Sequence, residues 1–227
     1  MGWSRLLKVD LHVHTSYSDD CLTPCCDVLR WARRRGLGAL AITDHNTIAG
    51  ALALSKLSPL PILVGEEIRT SRGEIIGLLL REEIPPDLTP ARTVRLVHEQ
   101  GGVVYVPHPL DRMRRSVLDI GALMEIISEV DLIEVLNARV TFSLDNRNAE
   151  ELARSHGLLR GAGSDAHQGF EIGQAYVEMP AFMDAPSFLR SLSQGQVHGR
   201  ASSPLVHVGS TYAKFAKGIL TATSLLR

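Results

Sequence analysis

From Leu6 onward, short β-rich apolar runs alternate with stretches of helical periodicity. Leu6 to Val13 is the first run. Thr23-Pro24, a cap followed by a first-turn proline, opens a helix to about Arg35, where Gly36 and Gly38 stop it. Ala39 to Thr43 reads as a buried strand, 47–57 as a helix and Pro61 to Val64 as a short strand. Glu74 to Leu80 is a further strand, joined to its predecessor by a turn at Ser71-Arg-Gly73. Thr89 to Gln100 is helical after Pro90, and Gly101-Gly102 leads into the strand Val103 to Val106. The second half continues in kind. Helices at Asp119 to Ser128, Asp145 to His156 and Pro186 to Ser193 separate strands at Leu132 to Leu136, Leu158 to Gly163 and Ala175 to Met179. Strands spaced by helices in this way predict βαβ units and a parallel sheet.

Histidine and acidic residues cluster where these strands end. The clusters read Asp10-Leu-His12-Val-His14, Thr43-Asp44-His45, Pro107-His108-Pro109 and Ser164-Asp165-Ala-His167, with Glu66-Glu67 closing another apolar run. Imidazole and carboxylate together suit zinc, manganese or iron. A set this large implies more than one metal ion in one pocket. In a barrel the strand ends ring a single mouth, whereas an open sheet would spread them along a line. The expected fold is therefore an α/β barrel with a metal site at the C-terminal mouth of its strands. The two-residue spacing in His12-Val-His14, repeated in Asp165-Ala-His167, puts each pair on one face of a strand. Asp10 is expected on the same face as His12, orienting it from behind.

Composition narrows the rest. The chain has 227 residues, 44% of them hydrophobic, and a formal net charge of -1. That size favours one domain over 1–227, with 206–227 as a C-terminal extension. Neutral balance disfavours bulk attraction to a membrane surface or to long nucleic acid. No stretch reaches the roughly 20 apolar residues of a membrane span, and the start carries no signal-peptide pattern. Three cysteines, Cys21, Cys25 and Cys26, read as reduced thiols, so a cytoplasmic location is expected. His98, His156, His198 and His207 have no ligand spacing and read as structural or surface residues.

The ordered motifs from Asp10 to His167, with Gly73 to Gly77 and Asn137-Ala-Arg139, resemble those of the PHP (polymerase and histidinol phosphatase) family of metal-dependent phosphoesterases. The resemblance covers most of the chain. It implies a distorted (β/α)7 barrel with two or three divalent ions, Zn, Mn or Fe, at the C-terminal mouth. Carried onto this sequence, His12, His14, Glu67 and Asp165 hold a first ion. Glu67 bridges to a second, which His108 also binds. His45 and His167 hold a third with an acidic residue from Tyr17-Ser-Asp19-Asp20, Asp20 being preferred over Asp19. Where some relatives place a histidine on the sixth strand this chain has Asn137, a weaker ligand.

The reaction this implies is hydrolysis of a phosphoester by hydroxide generated between adjacent ions. No serine or cysteine nucleophile motif competes. Asp44 or Asp10 could protonate the leaving group. Arg112 and Arg139, each near an expected ligand, could clamp phosphate bidentately; Arg114 and Arg115 share the loop. The substrate expected is a small phosphomonoester, a nucleotide or an oligonucleotide end. Two rival readings are a metal-dependent amidohydrolase, for which no lysine stands at a strand end, and a non-catalytic module in which metal only holds the fold.

Overall fold

In the computed structural model the chain runs β1 (Leu7–Val13), α1 (Cys25–Arg35), β2 (Ala39–Ile42), α2 (Ala49–Leu57), β3 (Ile62–Thr70), β4 (Gly73–Leu78), α3 (Pro90–Glu99), β5 (Val103–Val106), α4 (Ile120–Ile126), β6 (Leu132–Asn137), α5 (Ser143–His156), β7 (Leu159–Gly163), β8 (Ala175–Met179), α6 (Ala185–Ser193) and β9 (Gln196–Gly199). The structure describes residues 6–200 together with Tyr212, Ala213, Ala216 and Lys217. His207 and most of the expected extension lie outside the described residues.

The strands form one sheet in the order β7-β6-β5-β4-β3-β2-β1-β8-β9. Its two halves nearly meet. Past the end of β7, Asp165 N–H donates to the His12 carbonyl and His14 N–H to that of Ala166. The result is a nearly closed barrel of mixed α/β type, as expected. The sheet departs from the purely parallel expectation at β4, which pairs antiparallel with both β3 and β5. β8 and β9 are antiparallel additions beside β1, and β9 had no expected counterpart. β3 also runs past Val64 to Thr70, because β4 folds back and pairs with Gly65 through Thr70. Glu66 and Glu67 thus lie inside a strand rather than at its end.

Alternation sorts the core into layers. Val103 and Tyr105 pack with Val9, Leu63, Leu132 and Ala162 across the sheet's concave side. Val104 and Val106 instead meet Val94 and Val97 of α3 and Leu123 of α4. On the other half Leu40 and Ile42 pack against Val28 and Ala32 of α1 and Leu54 of α2. Helix ends follow local chemistry. Thr89 accepts from Arg92 N–H ahead of Pro90 at the start of α3, and Gly36, at φ 67°, closes α1 in the left-handed conformation. Thr23 does not cap α1. Pro24 holds that position, and the Thr23 hydroxyl donates to the His167 carbonyl, tying this turn to the barrel mouth.

Candidate metal centre

β1 brings the first two imidazoles together. Its register against β2 slips between Asp10 and Val13. The Asp10 carboxylate accepts from His12 N–H at 3.3 Å, and from Ser164 N–H, the Ser164 hydroxyl and Gly173 N–H at 2.9, 2.6 and 2.9 Å. His12 Nε2 and His14 Nε2 face each other at 3.1 Å. Glu67 Oε2 lies 3.4 and 3.3 Å from them, and Asp165 Oδ1 3.6 and 3.4 Å.

These distances carry the fit to a metal. Bonds of about 2.0–2.1 Å in a tetrahedral site set its ligand atoms about 3.3 Å apart. Five separations among four buried donors fall between 3.1 and 3.6 Å. His12, His14 and Glu67 converge as a group that could hold a cation, while Asp165 Oδ1 approaches the two imidazoles from outside that group. Asp165 Oδ1 is buried with no hydrogen-bond partner, a costly state that a cation relieves.

Two further donor groups adjoin the first. Asp20 Oδ2 is 3.4 Å from His45 Nε2 and 3.2 Å from His167 Nε2, with His14 closing the group. Glu67 Oε1, the oxygen not directed at His12 and His14, is 3.0 Å from His108 Nε2. Each Glu67 oxygen therefore serves a different donor group, and Glu74 completes the one with His108. Strain marks the same places. His108, between Pro107 and Pro109, has φ 31° and Asp165 φ 53°, conformations costing about 1–3 kcal/mol each for a side-chain-bearing residue.

Glu134 supports this set from below. Its carboxylate is 3.2 Å from His12 Nδ1, accepts from His108 N–H at 2.8 Å and from the Asn137 amide at 2.9 Å. Asn137 also donates to Asp165 and accepts from Arg139 N–H, so both ends of its amide are engaged within the protein. Gly163 lets the layers close: a Cβ there would stand 2.3 Å from His12 Cβ and 2.7 Å from Glu134 Oε1.

Burial and charge act together on these groups. Burial disfavours a charged His12 imidazole, but Asp165, Glu67 and Glu134 outweigh it and hold its pKa well above the usual value. His45 is lifted to about 10 against burial by Glu67 and Asp20. Burial would raise Glu67, yet His12, His45 and His108 keep it well below the carboxylate range. Asp165 is likewise depressed, by Arg114 and His12 against burial. His167 behaves differently: burial, with His14 and Arg139, pushes it down to about 4 despite Asp20. Protons hold the charge balance here, and a divalent ion would take over that work.

A cavity of about 530 Å³ opens over the centre, lined by Asp20, His45, Glu74, Arg114, Arg139 and His167 among others. Arg139 is buried, with Nη1 2.6 Å from His167 Nδ1 and Nε 3.3 Å from Glu171. Arg112 does not line this cavity; its guanidinium pairs with Asp145 and lies over the Phe142 ring. Arg114 lines it instead, bonded to Asp165 and 3.2 Å from His108 Nε2. Asp44 is absent from the lining as well: it accepts from Thr15 N–H, the Thr15 hydroxyl and the Ser18 hydroxyl. Neither Asp44 nor Asp10 thus stands where a leaving group would enter. A larger cavity, of about 640 Å³, lies between α3 and residues 81–88 and contains none of the donor clusters.

Glu74, Glu134 and Arg114 were not singled out from the sequence. A carboxylate set within each apolar strand, Glu-Ile-Ile-Gly-Leu and Leu-Ile-Glu-Val-Leu, was the available signal for the first two. Arg114 was visible only as one of three arginines after His108-Pro109, since that loop has no periodicity to prefer it to Arg112 or Arg115.

Comparison with known proteins agrees with this geometry. The family model described as PHP domain matches residues 10–86, and the one described as PHP-associated matches residues 143–197. The uncharacterized protein MJ1587 of Methanocaldococcus jannaschii is 38% identical over 147 residues, which cover 58% of this chain and 82% of that one. The chain belongs to the PHP family. Among solved structures, a two-domain protein containing a predicted PHP-like metal-dependent phosphoesterase from Bacteroides vulgatus superposes with TM-score 0.69 at 18% identity, over 86% of this chain and 65% of that one. PsfC from Pseudomonas syringae gives 0.68 at 21% identity, over 93% and 99%. These two likenesses concern the fold. Shorter matches join this PHP protein to the Escherichia coli 5'-3' exoribonuclease Rnm, 47% identical over 27% of this chain and 22% of that one, and to the 3',5'-nucleoside bisphosphate phosphatase of Chromobacterium violaceum, 36% identical over 32% and 28%. No helix among the described residues is long and apolar enough to cross a membrane.

Proposed function

We propose that this PHP protein hydrolyses phosphoesters of small molecules, nucleotides or short oligonucleotide ends at a centre of two or three divalent ions. The observation that carries the reading is Glu67, whose two oxygens serve separate donor groups. His12, His14, Glu67 and Asp165 would hold one ion, Glu67 and His108 a second, and His45, His167 and Asp20 a third. Bound divalent ions supply Lewis acidity and a water molecule acidified toward neutral pH. The chain's own residues do the rest. Glu134 orients His12 and fixes the His108 backbone. Arg139 and Arg114, facing the cavity, would hold phosphate oxygens and offset charge as the ester breaks. Thr141 and Ser116 at the rim would offer hydroxyls to the substrate. The relatives named for nuclease and nucleotide phosphatase activities support including nucleotides and oligonucleotides among the substrates. The Asp145 pairing of Arg112 disfavours the phosphate role expected for it, whereas Arg139 keeps that role.

The test is a panel of a simple monoester, a diester, a nucleoside 3',5'-bisphosphate and a short 5'-phosphorylated oligonucleotide, read for wild type and Arg139→Ala. Wild type should hydrolyse at least one of them in a metal-dependent manner. Arg139→Ala should lower kcat/KM on that substrate by roughly tenfold to a hundredfold, about 1.5–3 kcal/mol for a charged contact. Metal content is counted on the same samples because Arg139 also touches His167. Unchanged kinetics would leave Arg139 as a structural partner of Glu171, and no turnover on any substrate would contradict the phosphoesterase reading.

A further inference from the structure

The donor groups at the mouth differ in chemistry. Of the two that adjoin the first, one joins His45 and His167 to Asp20, with His14 shared with the first group, so imidazoles outnumber the single carboxylate. Glu67 and Glu74 join His108 in the other, two carboxylates to one imidazole. Glu74 is held in place by its hairpin. Gly73, at φ 116°, starts the strand where a Cβ would collide with Leu118 Cα at 2.4 Å, and Glu74 N–H donates to the Ser116 carbonyl. Across the β3–β4 ladder Glu67 pairs with Ile76 and Arg69 with Glu74, so Glu67 and Glu74 share one face as diagonal neighbours. Glu74 is 7% exposed, and its Oε2 has no hydrogen-bond partner; His108, 2% exposed, likewise leaves Nδ1 without one. Glu74 Oε2 points toward His108 Nε2 at 3.9 Å, while its Oε1 is 3.9 Å from His45 Nδ1. A buried carboxylate oxygen with no donor, beside a second carboxylate and an imidazole, is matched to a cation rather than to a hydrogen bond.

We infer that Glu74 makes the His108 position an oxygen-rich site that discriminates for a hard divalent ion such as manganese, beside an imidazole-rich position suited to zinc, so that the centre loads with two different metals. Carboxylate donors suit manganese and magnesium, and imidazoles suit zinc and iron. Zinc has the higher intrinsic affinity at either position by the general ordering of divalent ions. The discrimination therefore lies in a narrower margin at the Glu74 position, where manganese in excess can compete.

The inference rests on the multinuclear reading above, and the experiment separates the two. The full chain is stripped with chelator and reloaded from zinc in the presence of excess manganese. Both ions are counted by mass spectrometry, and bound manganese is followed by electron paramagnetic resonance. Wild type should keep about one manganese per chain alongside zinc. Glu74→His should lower the manganese-to-zinc ratio at least tenfold, and Glu74→Asp, which keeps the oxygen donor, should stay near wild type. Glu74→Gln, close in shape but without the negative charge that both Glu and Asp bring to the ion, should also lose manganese and decides the matter if the histidine variant does not fold. A wild-type ratio in Glu74→His and Glu74→Gln, or a wild-type centre filled by zinc alone, would overturn the inference while leaving a multinuclear centre intact. Fewer than two ions of any kind per chain would overturn the multinuclear reading itself.

Discussion

Glu67→Gln should abolish phosphoester hydrolysis, by a thousandfold or more, while Glu66→Gln keeps most of it. The two residues are adjacent on β3 but face opposite ways. Glu67 is fully buried among His12, His14, His45 and His108. Replacing one of its oxygens by an amide nitrogen removes a donor from one group and presents N–H atoms to a would-be cation. Glu67 links two donor groups, so the effect should exceed the 10–100-fold typical of residues that only orient ligands. Glu66 is also buried, but its Oε2 accepts from Ile84 N–H, and burial, with Glu83 nearby, lifts its pKa to about 7. It is therefore partly protonated at neutral pH, and glutamine is a near-isosteric replacement. The check is kcat/KM with metal content for both variants. Equal losses with the fold intact would mean that the register of β3 against the site is wrong.

Metal removal should destabilise the protein strongly, and more so at higher pH. An ion present at a thousand times its dissociation constant adds about 4 kcal/mol of stability. For a chain of this size each kcal/mol shifts Tm by about 2–4 °C, so chelation should lower Tm by roughly 8–16 °C. The pH trend follows from His45 and His12, whose pKa values are raised in the metal-free fold. Their pairing with Glu67 and Asp20 stabilises that fold fully below the unfolded histidine value of about 6.5. For His45 this support is lost as pH rises through about 10. Metal binding needs these imidazoles neutral and so gains from the same rise. The difference in Tm between loaded and stripped protein should therefore widen from pH 6 to pH 9, measured by calorimetry at fixed free metal. A difference that is constant or narrows would contradict the place given to these two histidines.

Much of the fold was legible because apolar runs and glycine or proline punctuation survive in a single sequence. The strand-end histidines were also visible, since a polar pair spaced for one face of a buried run has few other uses. What stayed hidden depended on pairing. The extension of β3 to Thr70 arises from β4 folding back on it, and nothing between Gly65 and Thr70 states that partner. The slip in β1 between Asp10 and Val13 exists only in the register against β2. Asn137 read as a weak ligand because it stands where some relatives of the family place a histidine; its amide instead meets Glu134 and Arg139 N–H close by in sequence and Asp165 from β7's end. Arg112 and Arg114 were indistinguishable along the chain because only the path of the 107–118 loop turns one toward Asp145 and the other toward Asp165.

The most direct test of the multinuclear hydrolase is the rate of phosphate release from the best panel substrate as metal equivalents are returned to stripped protein one at a time. Because Glu67 links two donor groups, the rate should stay near zero through the first equivalent and rise steeply as the second is bound. A rate that reaches its maximum at one equivalent per chain, or that never depends on added metal, would contradict the account.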